Sequence, residues 1–224
     1  MGGGNNMVAQ IKSIETAYNG YRFRSRLEAR WAVFFDTAGI KYLYEPEGFD
    51  IGEGTYYLPD FYLPELKMWV EIKGVMSNSD WNKINKFSDK LTDERLIVLY
   101  DIPPEVEDLL DWAYEDSAFA VYNCRGYDFP YLPCVCPACG KAGFEFDGRG
   151  WRVCGHLTKN ENVDELYLLK NNVYIDGQNH LRPMKYPEFK GGRMDDKGYS
   201  YNHPIIIEAY RKARQAQFEH GKKG

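Results

Sequence analysis

Apolar residues recur at helical spacing between residues 23 and 42. They are Leu27, Trp31, Phe34, Phe35 and Ala38. This period predicts an amphipathic helix that buries one face. Ser25 is a natural N-cap with Glu28 three residues later, as in a capping box, and Gly39 is a natural C-cap.

Aliphatic and aromatic runs separated by Gly and Pro follow this helix and indicate strands. The predicted elements are a strand over 40–46, a turn at Gly52–Gly54 and a second strand within 48–63, a strand over 66–74, a helix over 79–91 capped by Ser79 or Asp80, a fully apolar strand over 94–102, a helix over 103–116 and a strand over 118–123. This order predicts an α/β fold with a mixed sheet of about four or five strands and helices on both faces.

Composition divides the chain into four parts. They are a flexible lead over 1–20, a core over 21–128, a separate small unit over 129–160, and an irregular segment over 161–224 with a strand-like run at 165–177. A last helix is predicted from Pro204 to about Phe218. We expect it to dock on the core; an arm that faces DNA or forms a homodimer is the alternative.

Composition also limits the classes of protein to which the chain can belong. The chain has 224 residues, of which 44% are hydrophobic, enough for one sizeable core. It has no membrane-length apolar run and no apolar signal-peptide centre near its start, which predicts a cytoplasmic protein. The net charge of −5 argues weakly against coating nucleic acid by bulk charge, but residues 21–30 carry four arginines against one glutamate.

Charged residues interrupt the second and third predicted strands. Alternate side chains of a strand face the same way, so Trp69, Glu71 and Lys73 share one face. If the two strands pair as neighbours, Asp60 comes alongside Glu71. Two carboxylates and the carbonyl of Ile72 can hold Mg²⁺ or Mn²⁺, and Lys73 can orient or deprotonate a water for phosphodiester hydrolysis. The alternative is a surface ion pair beside a turn residue.

Four of the five cysteines crowd into residues 134–154, and an odd total does not indicate a disulfide framework. A C-x₂-C pair followed by a C-x-H pair predicts a small zinc ribbon with a structural, tetrahedral zinc. The predicted ligands are Cys136, Cys139, Cys154 and His156. Cys134 is the alternative to His156 as the fourth ligand.

The segment SRLEARWA followed by PDFYLPELKMWVEIKG resembles the PD-(D/E)xK nuclease superfamily, in particular its small phage and prophage nucleases with a zinc-ribbon insert. The resemblance covers residues 21–74 by motif. It implies a restriction-endonuclease-like αβββαβ core and a Mg²⁺- or Mn²⁺-dependent DNA endonuclease of phage or mobile-element DNA processing, acting in the host cytoplasm if phage-encoded. It implies Asp60 and Glu71 as metal ligands, Lys73 as the catalytic lysine and Glu28 as an accessory acid.

Other roles stay open at this point. Glu28 can instead complete the cap at Ser25 or pair with Arg24. Weaker candidates for contacts with DNA phosphates are Arg22, Arg24, Arg26, Lys83 and Lys86; each singly is better explained as solvated surface charge. The second hypothesis for the whole chain is a zinc-containing nucleic-acid-binding protein on a nuclease-like scaffold without turnover.

Overall fold

The computed structural model describes residues 13–103, 119–121, 129–146, 148, 153–156, 164–190 and 200–218. Its helices are α1 (Arg26–Ala38), α2 (Asn78–Ser88), α3 (Glu165–Asn171) and α4 (Pro204–Gln215), with short 3₁₀ helices at Pro187–Phe189 and Ser200–Asn202. Its strands are β1 (Thr16–Tyr18), β2 (Tyr21–Phe23), β3 (Leu43–Tyr44), β4 (Phe49–Asp50), β5 (Tyr56–Tyr57), β6 (Phe61–Leu63), β7 (Met68–Ile72), β8 (Arg95–Leu99), β9 (Phe119–Val121), β10 (Phe129–Val135), β11 (Ala142–Phe146), β12 (Val173–Ile175) and β13 (Leu181–Pro183). The predicted helix over 103–116 lies almost wholly outside these residues.

The largest sheet has seven strands in the order β11-β10-β9-β8-β7-β6-β3. Strands β7 and β8 are parallel, and every other neighbouring pair in this sheet is antiparallel. Parallel neighbours need a crossover connection, and α2 lies in the crossover between β7 and β8. The sheet is therefore mixed, as the predicted order of elements requires. The pairs β1-β2, β4-β5 and β12-β13 form small ribbons beside it.

Alternation along β7 divides the hydrophobic core into two layers. Met68, Val70 and Ile72 belong to the layer that contains residues of α1 and α4. Trp69 belongs to the layer that contains residues of α2. Both faces of β7 are buried, which explains why its sequence is almost continuously apolar. Helices thus cover both faces of the sheet, as predicted.

Helix α1 confirms the predicted caps and the predicted apolar stripe. Ser25 Oγ accepts a hydrogen bond from the N–H of Glu28 at 3.2 Å. Gly39 ends the helix with φ of 72°, a conformation that favours glycine. The stripe is covered by α4, whose Tyr210 ring lies 4.7 Å from the ring of Phe34, centroid to centroid. The C-terminal helix therefore docks on the core.

Two local expectations need correction. Residues 1–20 are not a flexible lead throughout, because Thr16–Tyr18 forms a strand that pairs with β2. The N-cap of α2 is Ser77 rather than Ser79 or Asp80. The N–H of Asp80 donates to Ser77 Oγ at 3.1 Å, and the Asp80 carboxylate accepts from the N–H of Ser77 at 3.0 Å. This reciprocal capping box starts the helix earlier than expected.

The C-terminal half also differs from expectation. Residues 129–160 do not form a unit apart from the sheet, because β10 pairs with β9 and β11 and so extends it. This pairing satisfies backbone groups of β9 that would otherwise form an exposed edge. The run 165–177 is not one strand: it contains α3 and then β12. Asp164 caps α3 by accepting from the N–H of Leu166 at 3.0 Å, and Asn172 ends it in the left-handed conformation.

The start of α4 generates a prediction about pH. His203 is buried and its Nδ1 accepts a hydrogen bond from the N–H of Ile205 at 3.2 Å. Burial lowers the pKa of His203, and Lys185 lowers it further against the opposing effect of Glu188. The unfolded chain therefore takes up a proton near pH 6.5 that the folded chain does not. We expect the free energy of unfolding to fall as the pH drops from about 7.5 to 5.5, measured by urea denaturation.

The matched variant is His203→Asn, which keeps an acceptor at the N-cap without a titrating ring. Its free energy of unfolding should change less over this pH range than that of the wild type. Identical pH profiles for the two proteins would contradict the assignment.

Candidate active site and metal centre

The pairing of β6 with β7 brings two carboxyl groups together. Phe61 stands opposite Val70 in the antiparallel register, so continuing it by one residue places Asp60 opposite Glu71. Asp60 Oδ2 also accepts a hydrogen bond from the N–H of Ile72 at 2.7 Å. Asp60 is 3% exposed and Glu71 is 4% exposed. The predicted juxtaposition is therefore present, and both groups lie in a medium where their charges interact strongly.

Lys73 binds a third carboxylate that the sequence analysis did not assign to the site. Its Nζ lies 2.8 Å from Glu71 Oε1 and 3.3 Å from Asp80 Oδ1. Asp80 reaches this position because the Ser77 cap places it in the first turn of α2. Burial alone would lower the pKa of Lys73, but Glu71 and Asp80 raise it above its ordinary value. The group therefore presents an ammonium to the site.

Glu28 has both a capping role and a place in the site. Its Oε1 accepts from Ser25 Oγ at 2.7 Å, and its Oε2 accepts from the N–H of Arg24 at 3.0 Å. The hydroxyl of Tyr44 donates to the same Oε2 at 2.6 Å. These bonds hold the carboxylate at the start of α1, where it lines the same cavity as Asp60. The two roles considered for Glu28 are therefore compatible.

Arg24 forms an ion pair with Asp60. Its Nη2 lies 2.7 Å from Asp60 Oδ1, and its Nε lies 2.6 Å from Glu45 Oε1. Burial and the charges of Glu71 and Glu28 nevertheless raise the pKa of Asp60 well above its ordinary value. Two acidic neighbours thus act on Asp60 in addition to its burial, and a further cation at this place would offset their charge.

Tyr57 is a second residue that the sequence analysis missed. Its hydroxyl donates to Glu71 Oε2 at 2.7 Å, and its ring lies 4.9 Å from that of Phe87 on α2. Burial and the charge of Glu71 raise the pKa of Tyr57, which keeps the phenol protonated as a donor. Strand alternation could have indicated an inward-facing tyrosine here, but not its partner.

All these groups line one cavity of about 430 Å³. Its lining residues are Ser13, Arg24, Glu28, Tyr56, Tyr57, Leu58, Asp60, Glu71, Ile72, Lys73, Asp80, Lys83 and Ile84. Of the five basic residues predicted to contact DNA, Arg24 and Lys83 line it. Lys86 instead lies 2.6 Å from Glu53, and Arg22 lies on the surface 3.8 Å from Glu15. Arg26 is partly buried in the first turn of α1 and does not line the cavity.

The cysteine-rich segment forms a second cluster. One ligand atom from each of four residues lies within 4.8 Å of the other three; the residues are Cys136, Cys139, Cys154 and His156. Cys154 Sγ lies 3.2 Å from Cys136 Sγ, 3.3 Å from Cys139 Sγ and 3.1 Å from His156 Nδ1. Four ligands at about 2.0–2.3 Å from a tetrahedral zinc stand roughly 3.5 Å apart. The three thiols and the imidazole therefore form a donor set that fits zinc.

The surroundings of this cluster decide between the two candidates for the fourth ligand. His156 belongs to the cluster, with its ring 5.0 Å from that of Tyr174, whereas buried Cys134 lies outside it on β10. The mutual contacts of the three thiols lower the pKa of Cys139 and raise those of Cys136 and Cys154, so the three titrate as one group.

Comparisons of the chain with models of protein families, with curated proteins and with solved structures find no match. The resemblance to the PD-(D/E)xK superfamily therefore rests on the residues and elements described above. Among the described residues, no helix has the length and apolar character needed to cross a membrane.

The cluster predicts zinc bound in the purified protein at one ion per chain, measured by elemental analysis. Replacing Cys139 or His156 by Ala should remove the zinc and lower the thermal stability, because the small hairpin buries few other groups at this end. Cys134→Ser is the matched control and should retain the zinc. Loss of zinc from the Cys134 variant together with its retention in the His156 variant would show that the fourth ligand is misassigned.

The hydrogen bond from Tyr57 to Glu71 predicts a cost in stability. Tyr57→Phe leaves a buried carboxylate oxygen without its donor, so we expect the free energy of unfolding to fall by roughly 1–3 kcal/mol in urea denaturation. Tyr56→Phe, one residue away on the exposed face of β5, should change it by less than about 0.5 kcal/mol. Equal effects of the two substitutions would argue against the bond.

Proposed function

We propose that this protein is a metal-dependent nuclease that hydrolyses phosphodiester bonds of DNA, with a structural zinc at its cysteine cluster. The observation that carries the proposal is the meeting of Asp60, Glu71 and Lys73 in one cavity, with Glu28 on its wall. If the separate β4-β5 ribbon is set aside, the helices and the strands of the large sheet follow the order α1-β3-β6-β7-α2-β8. This order supports a core of the restriction-endonuclease type, since it repeats the helix and strand order that the resemblance implies.

The carboxylates fit a divalent cation. Mg²⁺ takes oxygen ligands and is commonly held by one or two carboxylates together with waters and a substrate phosphate. Asp60 and Glu71 supply those carboxylates. Burial and, after it, the charges of Glu71 and Glu28 raise the pKa of Asp60, and a bound cation would favour its ionised form. A metal ion at Asp60 Oδ1 would compete with Arg24, which retains Glu45 as an alternative partner. When bound, Mg²⁺ would polarise the scissile phosphate and acidify a coordinated water.

The protein's own groups have distinct parts in the reaction. In hydrolysis, a water oxygen bonds to phosphorus, one ester oxygen leaves and takes up a proton, and the water gives up its proton. Lys73, as an ammonium between Glu71 and Asp80, orients the attacking water and stabilises the negative charge that develops on the phosphate. Glu28, fixed on the cavity wall by its bonds to Ser25 and Tyr44, is the accessory acid that the resemblance implies.

Two cations on the cavity wall can bind the phosphates of the DNA backbone. Arg24 presents a planar guanidinium that can pair with phosphate through two parallel hydrogen bonds. Lys83 is exposed and lines the same cavity from α2. Contacts of this kind position DNA without reading its sequence. The zinc cluster has no open place in its donor set and is assigned a structural role.

The proposal predicts nicking of supercoiled plasmid, or cleavage of oligonucleotides, with Mg²⁺ or Mn²⁺ and none with EDTA. Lys73→Ala and Asp60→Asn should each lower kcat by about 10²-fold or more, since each removes a group that acts on charge in the transition state. Lys41→Ala is the matched control, because Lys41 is exposed and pairs with Glu65 away from the cavity. The zinc content of all variants should equal that of the wild type.

Absence of cleavage by the zinc-loaded wild type on single-stranded, duplex and branched DNA would refute the catalytic assignment. DNA binding without cleavage in the same panel would favour the alternative of a binding protein on a nuclease-like scaffold. Cleavage that survives both substitutions would place the active site elsewhere in the chain.

A further inference from the structure

An exposed aromatic ring stands on the rim of the candidate active site. Tyr56 is 76% exposed, whereas its neighbour Tyr57 is buried and bonded to Glu71. Strand alternation explains the contrast, because successive residues of β5 face opposite ways. A single exposed ring needs no explanation by itself. Tyr56 is of interest because it lines the cavity that contains the carboxylates.

The ribbon that carries Tyr56 is anchored to the core at several points. In its first strand, the ring of Phe49 lies 5.0 Å from Trp69 and 4.7 Å from Phe87. In its turn, Glu53 Oε2 lies 2.6 Å from the Nζ of Lys86 on α2. These contacts hold the β4-β5 ribbon against α2. The ring of Tyr56 is therefore presented to solvent from a fixed support rather than from a free loop.

The groups beside Tyr56 on the cavity wall are an apolar side chain and a cation. Leu58 is partly exposed and lines the cavity, and Lys83 lines it from α2. Next to the carboxylate cluster, the phenol ring and the leucine side chain can contact the base of one nucleotide, and the ammonium can contact its phosphate. The base has a flat apolar face, and its phosphate carries a negative charge.

We propose that Tyr56 is a stacking platform for an unpaired nucleobase next to the phosphate that is cleaved. This inference rests on the proposed nuclease function and specifies its substrate as DNA with unpaired nucleotides, such as single strands, flaps or branch points. Within a duplex, both faces of a base are covered by its neighbours, so a side chain can stack only on a base that is unpaired or displaced. Because every base has such a face, the preference concerns DNA structure rather than sequence.

The test measures binding apart from cleavage. Lys73→Ala is used as the background with Mg²⁺ present, and affinities for a labelled single strand and for a blunt-ended duplex of two complementary strands are measured by fluorescence anisotropy. Adding Tyr56→Ala should weaken single-strand binding roughly 5- to 100-fold, the range for loss of one aromatic stacking partner. Duplex binding should change less than twofold. Tyr56→Phe keeps the ring and should bind like the parent.

A spectroscopic signal distinguishes stacking from a general loss of contact. A single strand with 2-aminopurine placed at successive positions should show fluorescence quenching at one position, and Tyr56→Ala should abolish that quenching. Equal weakening of single-strand and duplex binding by Tyr56→Ala, or an affinity that Phe does not restore, would overturn the stacking role.

The outcomes also separate this inference from the function on which it rests. If the wild type cleaves duplex and single strands equally well and Tyr56→Ala changes neither, the platform is refuted while the nuclease stands. If the wild type neither binds nor cleaves any DNA of the panel, both are refuted.

Discussion

The candidate site depends on the antiparallel pairing of β6 with β7. This register places Asp60 opposite Glu71 and directs the N–H of Ile72 to the Asp60 carboxylate at 2.7 Å. A slip of one residue would turn every side chain of β7 to the other face of the sheet. The register is held because Phe61 and Val70, one pair further along, are both completely buried. Packing of the core thus determines where the carboxylates meet.

Hydrogen bonding makes this concentration of negative charge tolerable. Buried carboxylates are costly unless donors reach their oxygens. Each carboxylate oxygen of Asp60 and Glu71 has a donor. The Ile72 N–H and Arg24 donate to Asp60, and Tyr57 and Lys73 donate to Glu71. The groups are therefore fixed in position before any ligand arrives, which is the condition under which electrostatic stabilisation of a transition state is most effective. Tyr57 donates from β5, Arg24 from the link between β2 and α1, and Ile72 and Lys73 from the end of β7.

The cysteine cluster joins the C-terminal part of the chain to the sheet. Its knuckle is the turn between β10 and β11, where the N–H of Gly140 donates to the carbonyl of Cys136 at 2.8 Å. The N–H groups of Lys185 and Tyr186 donate to the carbonyls of Ala138 and Pro137. A zinc at this place would fix the end of the β10-β11 hairpin to the segment of Cys154 and His156, and the backbone bonds of the hairpin then hold the segment after β13.

The local sequence determined one helix and the candidate metal ligands of this protein. The stripe and caps of α1 follow from its periodicity and from Ser25 and Gly39, and the candidate metal ligands follow from their spacing. The contacts of Asp80 and Tyr57 in the site could not be predicted from the sequence, because a capping aspartate and a core tyrosine are common in any fold. These contacts form only when α2 and β5 pack beside β7. The same holds for the choice of His156 over Cys134 and for the joining of β10 to the sheet. Periodicity and spacing are local properties of the chain, whereas the partner of a side chain is decided by which elements pack together in three dimensions.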